Sequence, residues 1–522
     1  MLRLSRHIPD EMPIVSAERR VAWGRAALQA DRPQAALTIA DHVLTELPEF
    51  ASAWLLRGKA CSALCRFREA AYAYRFLLGM FPDFTQVQVN LANAYIELGG
   101  LDEARILLLD VIARAPNLAA AHASLGSLYI RLGRYDLAEV PVREALALDP
   151  AIVPARQNLA AILASRGDAE ARIHRDLAYR CKQIFTERSP RAEKTALILT
   201  SSGSGNVPYL HLLPPEGYNR IFWHLDYAPR GQAKKLPAYD FVFNAVADPD
   251  AAPRAQKAAE RFVRSCVKPV LNLPARVAHT LRSEAPARLD SIKDVLVPRT
   301  HRFARGSPKG DILACGFRFP LILRPAGQHG GEGTSLVRTP EELASALPSC
   351  GAFYATEFVD YRSADGWYRK YRVIFVDRKP YPYHLAIGGR WLLHYRTADM
   401  QADAARRAEE MAFLHDPAKA LGARGMAALK AIGERLDLDY AGIDFSLLRD
   451  GRILFFEANA TMLVHPEDDP LFVYKNPSVD AILAAVDKMI TRRLMRASQA
   501  YIRDSKGGST PRVSHVDQMN TR

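Results

Sequence analysis

The residues best placed to do chemistry lie toward the C-terminal end of the chain. The segment Ala441-Gly-Ile-Asp-Phe-Ser-Leu-Leu-Arg-Asp450-Gly-Arg-Ile-Leu-Phe-Phe-Glu-Ala-Asn-Ala460 reads as two strands joined by a two-residue Asp450-Gly451 turn. That turn sets Arg449 opposite Arg452 and, counting back, Asp444 opposite Glu457. Glu457 and Asn459 are two apart and share a face. The other face, Ile443, Phe445 and Leu447 against Leu454, Phe456 and Ala458, is predicted to be core. Carboxylates directly opposite each other, about 5 Å apart at Cβ, repel. A hard divalent cation removes that penalty. Asp, Glu and Asn oxygens are the ligands Mg2+ prefers, with phosphate oxygens completing its shell. On a freely solvated hairpin the same acids would need no explanation, but the flanking apolar runs argue against free exposure.

The region that must position these residues begins near Lys194. Thr195–Thr200, Ile221–Leu225 and Asp240–Asn244 read as strands and 251–265 as a helix, which predicts an α/β lobe with a parallel sheet. The Ser201-Ser-Gly-Ser-Gly-Asn206 loop after the first strand could hold a phosphate or carboxylate, although such loops are often only turns.

Further segments follow in order: Phe319-Pro-Leu-Ile-Leu-Arg-Pro325, Gly327-Gln-His-Gly-Gly-Glu-Gly-Thr334, Tyr354-Ala-Thr-Glu-Phe-Val-Asp360 and Tyr371-Arg-Val-Ile-Phe-Val376. With the Asp and Glu-x-Asn hairpin, this order resembles the ATP-grasp superfamily, closest in spacing to the branch of ribosomal-protein glutamate ligase and glutathione synthetase. The resemblance implies an α/β pre-ATP-grasp lobe at 190–280 and an α+β ATP-grasp domain at 281–490. It implies ATP contacts at Arg282, Arg324, Gly330, Gly331, Gly333, Glu357, Val359 and Asp365. It implies one or two Mg2+ ions (Mn2+ as the alternative) on Asp444, Glu457 and Asn459, and a catalytic Arg372 on the γ-phosphate and acylphosphate. His384, His394 and Arg396 fall on the acceptor side. The implied reaction is an ADP-forming carboxylate–amine ligation through an acylphosphate. Four positions depart from the superfamily pattern: Arg282 stands where an ATP-contacting lysine is usual, Arg324-Pro325 replaces Lys-Pro, Lys370 replaces an acid two before Arg372, and Asn459-Ala-Thr-Met462 replaces Asn-x-x-Pro-Gly.

The first third has a different logic. Pro48, Pro82, Pro116 and Pro150 recur every 34 residues, as do Ala36, Ala70, Ala104 and Ala138, and Gly99, Gly133 and Gly167. Each unit reads as two helices and a turn: glycine allows the turn, alanine lets two helices approach, and proline stops the second helix. Trp54, Gly58, Ala70 and Pro82 carry a resemblance to the tetratricopeptide repeat, implying an all-α solenoid over 17–175. Its groove is expected to hold a peptide or protein segment, with Lys59, Asn93 and Arg131 as groove or merely solvated residues. An alternative to the ligase is therefore a repeat-based adaptor with a non-ligating nucleotide-binding module.

Composition bounds the rest. The 522 residues carry 70 Lys and Arg against 57 Asp and Glu, a net charge of +13. Part of that excess sits in 491–522, read as a solvated, partly disordered basic tail, and 1–16 as an N-terminal tail. No nucleic-acid-binding motif accompanies the charge, and no apolar run reads as a membrane span or secretory signal. Six cysteines without a CxxC favour buried thiols in a reducing cytoplasm, with none flanked as a nucleophile.

Overall fold

Small residues recurring every 34 positions dictate how the N-terminal region is built. The computed structural model of the protein describes residues 17–203, 205–327, 331, 333–347, 351–398 and 400–506, without the side chains of 396 and 500–506. The chain divides into two units, one holding the sequence up to Lys194 with 215–221 and 227–237, the other holding 195–214, 222–226 and all from Ala238 onward.

In the first unit, ten helices run from Ala17–Gln29 to Glu170–Cys181 among the described residues. Ala36, Ala70, Ala104 and Ala138 are fully buried between helices. A Cβ added at Gly58 would lie 2.4 Å from Tyr74 Cε1, and one at Gly126 would lie 2.4 Å from Val142 Cγ2. These helices touch where the side chain is missing. The second helices end at Glu46, Met80, Arg114 and Leu148, two residues before each periodic proline. A fifth pair, Val153–Ser165 and Glu170–Cys181, is complete, so the array ends at 181 rather than 175.

Each periodic proline also offers its carbonyl. Trp54 Nε1 donates to Pro48 O at 2.7 Å, Gln88 Nε2 to Pro82 O at 2.9 Å, His122 Nε2 to Pro116 O at 2.8 Å and Arg156 Nε to Pro150 O at 2.7 Å. The donors are spaced by 34 and share only an N–H of suitable reach. A carbonyl can only accept, so His122 carries its proton on Nε2 here.

In the second unit, Lys194–Thr200, Phe241–Asn244 and Val270–Leu271 pair in parallel, as the α/β reading expects. Asn272, buried with φ +55, ties this sheet to the next one. Its N–H donates to Asp439 Oδ2 at 2.9 Å, its Nδ2 to Tyr440 O at 2.7 Å, and its Oδ1 accepts from Tyr440 N at 2.8 Å.

Two more sheets follow. One is antiparallel, in the order Thr300–Phe303, Phe353–Glu357, Leu321–Pro325, Ser335–Val337. The other runs Lys379–Gly388, Tyr368–Val376, Tyr440–Leu447, Ile453–Asn459, Val295–Leu296, with only the last pair parallel. Alternation gives this sheet two faces. Tyr371, Val373, Phe375, Ile443 and Phe445 pack against Phe413, Leu429 and Ile432 of the helices Ala404–His415 and Pro417–Leu436. Lys370, Arg372 and Asp444 therefore stand on the opposite face.

The basic tail expected from 491 is in part folded. Asn476–Lys506 is one helix. Arg492 pairs with Asp377, and Arg493 donates to Asp377 at 3.1 Å and Asp439 at 2.9 Å. Two acids on neighbouring loops anchor what the charge run alone presents as solvated. The expected tails at 1–16 and 507–522 lie outside the described residues.

Candidate active site

The hairpin at the centre of the site reaches the expected pairing by another route. Gly451 adopts φ +84, its N–H donates to Leu448 O, and Leu448 N–H donates to Arg452 O, both at 2.9 Å. The loop thus has three residues, 449–451, and Leu447 pairs with Ile453 rather than Leu454. A bulge between Asp444 and Phe445 then adds one residue back, so Asp444 pairs with Glu457 and Gly442 with Asn459. The shift exchanges the faces of the second strand near the turn. Ile453 and Phe455 join the helix-covered core, while Leu454 and Phe456, expected on that face, pack in a second cluster on the other face, where they line the cleft.

Cations separate the two carboxylates. Asp444 is fully buried. Arg372, its register partner on the neighbouring strand, holds it in a fork, Nε to Oδ1 at 2.6 Å and Nη2 to Oδ2 at 2.8 Å. Lys370 Nζ reaches Oδ2 at 2.6 Å. Glu457 accepts from Arg282 and, at 3.2 Å, from Arg324 Nη1. Burial pushes the Asp444 carboxyl up, but Arg372 and Lys370 outweigh it and hold it well below the usual carboxylate range. Burial lowers the Lys370 ammonium, with Asp444 opposing the shift. Four cations against two carboxylates leave a net of two positive charges, the electrostatics of an anion site.

Two hollows share the residues of this cluster. One is lined by apolar Val297, Ile322, Leu454 and Phe456 together with Glu357 and Val359 of the expected hinge. The other, of about 320 Å3, is polar and lined by Gly331, Arg372, His394, Asn459 and Thr461, with Gly205 and Asn206 from the early glycine-serine loop. Arg282, Arg324, Lys370 and Glu457 line both. An apolar slot beside a cationic chamber suits a flat apolar group attached to a polyanion.

The sequence-derived site residues therefore divide. Arg282, Arg324, Arg372, Gly331, Glu357, Val359, Glu457, Asn459 and His394 come together around the two hollows. Gly333 adopts φ +65, and a Cβ there would lie 2.9 Å from Pro325 Cγ, so the loop needs glycine at this point. Asp365 lines neither hollow, because Arg369 claims its carboxylate at 3.0 and 2.8 Å. His384 is buried beside Arg372, its register partner on the same face of the sheet, and lines neither hollow; burial, then Arg372, push its imidazole well below the usual value. Gly330 and the Arg396 side chain lie outside the described residues. Burial pushes the Cys61 thiol up to about 11, consistent with an inert core cysteine.

As for a metal, Asp444 lines neither hollow: it lies under Lys370 and Arg372, which do. Glu457 and Asn459 line the polar hollow together and fit a hard divalent ion by donor type. Thr461 fixes the Asn459 amide, donating to its Oδ1 from N and Oγ1, both at 2.6 Å. No cluster of three or more His, Cys, Asp or Glu suited to a metal occurs among the described residues.

Lys370 stands out in the sequence only as a departure from the superfamily pattern, and the structure places it in the cationic cluster. The signal lies in its spacing, since the residue two before Arg372 on a strand shares its face. Thr461 and the wall residues Leu454 and Phe456 were hidden, the latter two by the one-residue shift.

In the helical array, Lys59 and Asn93 are exposed on first helices, while Arg131 pairs with Glu97 at 3.1 Å. No described helix is long and apolar enough to cross a membrane. Residues 66–128 and 119–152 match family models described as tetratricopeptide repeat. No curated protein matches the chain. Among solved structures, the thermophilic TPR protein TTC0263 from Thermus thermophilus is 25% identical, covering 32% of this chain and 92% of its own, at TM-score 0.30. MamA from Desulfovibrio magneticus RS-1 is 18% identical, covering 32% and 94%, at TM-score 0.27. The N-terminal helical array is built of tetratricopeptide repeats.

Proposed function

We propose that this protein is an ATP- and Mg2+-dependent carboxylate–amine ligase of the ATP-grasp type, working through an acylphosphate on a peptide or protein substrate held by the repeats. The observation that carries this reading is the Asp444–Glu457 register pair, compensated by four cations that line a cleft with one apolar and one polar hollow.

A carboxylate is a poor acylating group, and phosphorylation gives it a good leaving group. Val297, Ile322, Leu454 and Phe456 would enclose the adenine beside the Glu357–Val359 backbone. Arg282, Arg324 and the loop around Gly331 and Gly333 would hold the phosphates, and Arg372 would stabilise the acylphosphate and the oxyanion formed when the amine attacks. Glu457 and Asn459 would hold a divalent ion whose charge screens the phosphates as they approach the carboxylate. His394 lines the hollow that an acceptor would enter.

The match of the family models to the repeats favours a second reading, a repeat-based adaptor that binds nucleotide without ligating. The experiment that separates them follows ADP and phosphate together, with Mg2+ and ATP, against amino acids, dipeptides and fractionated cell extract. Substrate-stimulated release of both products, absent in Glu457→Ala, supports the ligase. Nucleotide binding without turnover under every condition overturns it in favour of the adaptor.

A further inference from the structure

Asp444 is the acid that a two-ion phosphate site would be expected to use, and its surroundings leave no room for that role. Both of its oxygens are occupied: Oδ1 by Arg372 Nε, and Oδ2 by Arg372 Nη2 and Lys370 Nζ, at 2.6, 2.8 and 2.6 Å. Its side chain is fully buried, and the cleft wall above it consists of the same Lys370 and Arg372. An ion reaching Asp444 would have to displace a forked guanidinium and then sit beside two cations. Lys370 lines both the apolar and the polar hollow, together with Arg282 and Arg324. A nucleotide whose base fills the first hollow and whose phosphates fill the second passes this ammonium.

We infer that Lys370 is a built-in cation of the phosphate site, doing with a fixed charge what a second divalent ion would do at Asp444. This inference rests on the nucleotide reading above. Asp444 is then a positioning residue, holding Lys370 and Arg372 at the phosphates, and Glu457 with Asn459 takes the only divalent ion that accompanies the nucleotide. An ammonium fixed by a buried carboxylate donates charge-assisted hydrogen bonds to phosphate oxygens without metal exchange. Nucleotide affinity therefore persists, though weakened, when divalent ions are removed.

The test uses the full chain and a non-hydrolysable ATP analogue. Titration with Mn2+, followed by electron paramagnetic resonance of the free ion, counts the ions bound per analogue. One ion is expected, and two overturn the assignment. Analogue affinity is then measured in EDTA for the protein, for Lys370→Met and for Lys370→Arg. Loss of charged hydrogen bonds predicts roughly 10- to 100-fold weaker binding for Lys370→Met, restored in large part by Lys370→Arg. Equal affinity of the protein and Lys370→Met in EDTA overturns the role of Lys370. If Lys370→Met fails to fold, the ion count on the unaltered chain decides alone. Failure of the unaltered chain to bind the analogue even with Mn2+ overturns the nucleotide reading itself, and is thereby distinguished from a count of two.

Discussion

Asp444 and Glu457 are register partners on one hairpin, yet each carboxylate is neutralised by its own pair of cations drawn from elsewhere in the chain. The repulsion that the pairing predicts is thus resolved within the protein, and this changes what mutation should do. Asp444→Ala leaves Arg372 and Lys370 facing each other over a fully buried gap, a loss of about 3–5 kcal/mol of stability. Glu457 is 17% exposed and its partners 20–26%, so Glu457→Ala should cost less, about 1–3 kcal/mol, while abolishing turnover. Urea denaturation ranks the two. Equal losses, or a greater loss at Glu457, would contradict the assignment of Asp444 as the more deeply buried anchor.

Acid should expose the same asymmetry. The Asp444 carboxyl is held below its ordinary value of 3.8 because Arg372 and Lys370 outweigh the effect of burial. A group whose folded pKa lies below its unfolded one adds stability that is complete above the unfolded pKa and lost as pH falls toward the folded one. The stability difference between the protein and Asp444→Asn should therefore be flat from about pH 8 to pH 5 and shrink below about pH 4. Thermal melting across that range reads it. A difference that widens toward acid would mean the carboxyl is protonated in the fold.

The limits of legibility are clearest in the hairpin. The Asp450-Gly451 pair marks the turn, but a two-residue Asp-Gly loop would need positive φ at both residues, and only Gly451 adopts it, as the last residue of a three-residue loop. A bulge at Phe456 then cancels the slip before Glu457. Composition signals neither, so the acid pair was legible while the faces of Leu454 and Phe456 were not. Asp365 shows another limit: an acid near a motif carries no sign that Arg369, four residues on, will claim it. The repeats were legible because burial between helices admits only small residues, and small residues are few. The proline-carbonyl donors were not, because Trp, Gln, His and Arg share a hydrogen-bonding function and no side-chain likeness.

Those donors give a prediction in the array. His122→Phe keeps a ring of similar size and removes the N–H on Pro116 O, whereas Gln88→Leu removes both the donor on Pro82 O and the acceptor of Arg114 Nη2 at 2.8 Å. His122→Phe should cost about 0.5–1.5 kcal/mol, the net worth of one hydrogen bond, and Gln88→Leu up to about twice that. Because repeat stability is nearly a sum of neighbouring terms, the loss should appear as faster amide exchange in the altered repeat and its neighbours rather than uniformly. Exchange unchanged at Thr85–Leu98 and Ala119–Arg131 in both variants would show that the carbonyl is equally well served by water.

The groove reading is best tested by surface charge. Removing residues 1–175 would cut through the Glu170–Cys181 helix and leave a frayed end, so loss of activity in that truncation would be ambiguous. Lys59 and Asn93 are exposed and one repeat apart, whereas Arg131 already pairs with Glu97. Lys59→Glu with Asn93→Asp adds negative charge to two adjacent first helices without touching the core. If the repeats present a macromolecular substrate to the cleft, KM for that substrate should rise several-fold while kcat and ATP affinity stay within twofold, because solvent-exposed charges act on encounter rather than on chemistry. Unchanged KM would move the partner surface elsewhere on the array. A fall in kcat with constant KM would mean that the two positions report on folding of the repeats rather than on what they hold.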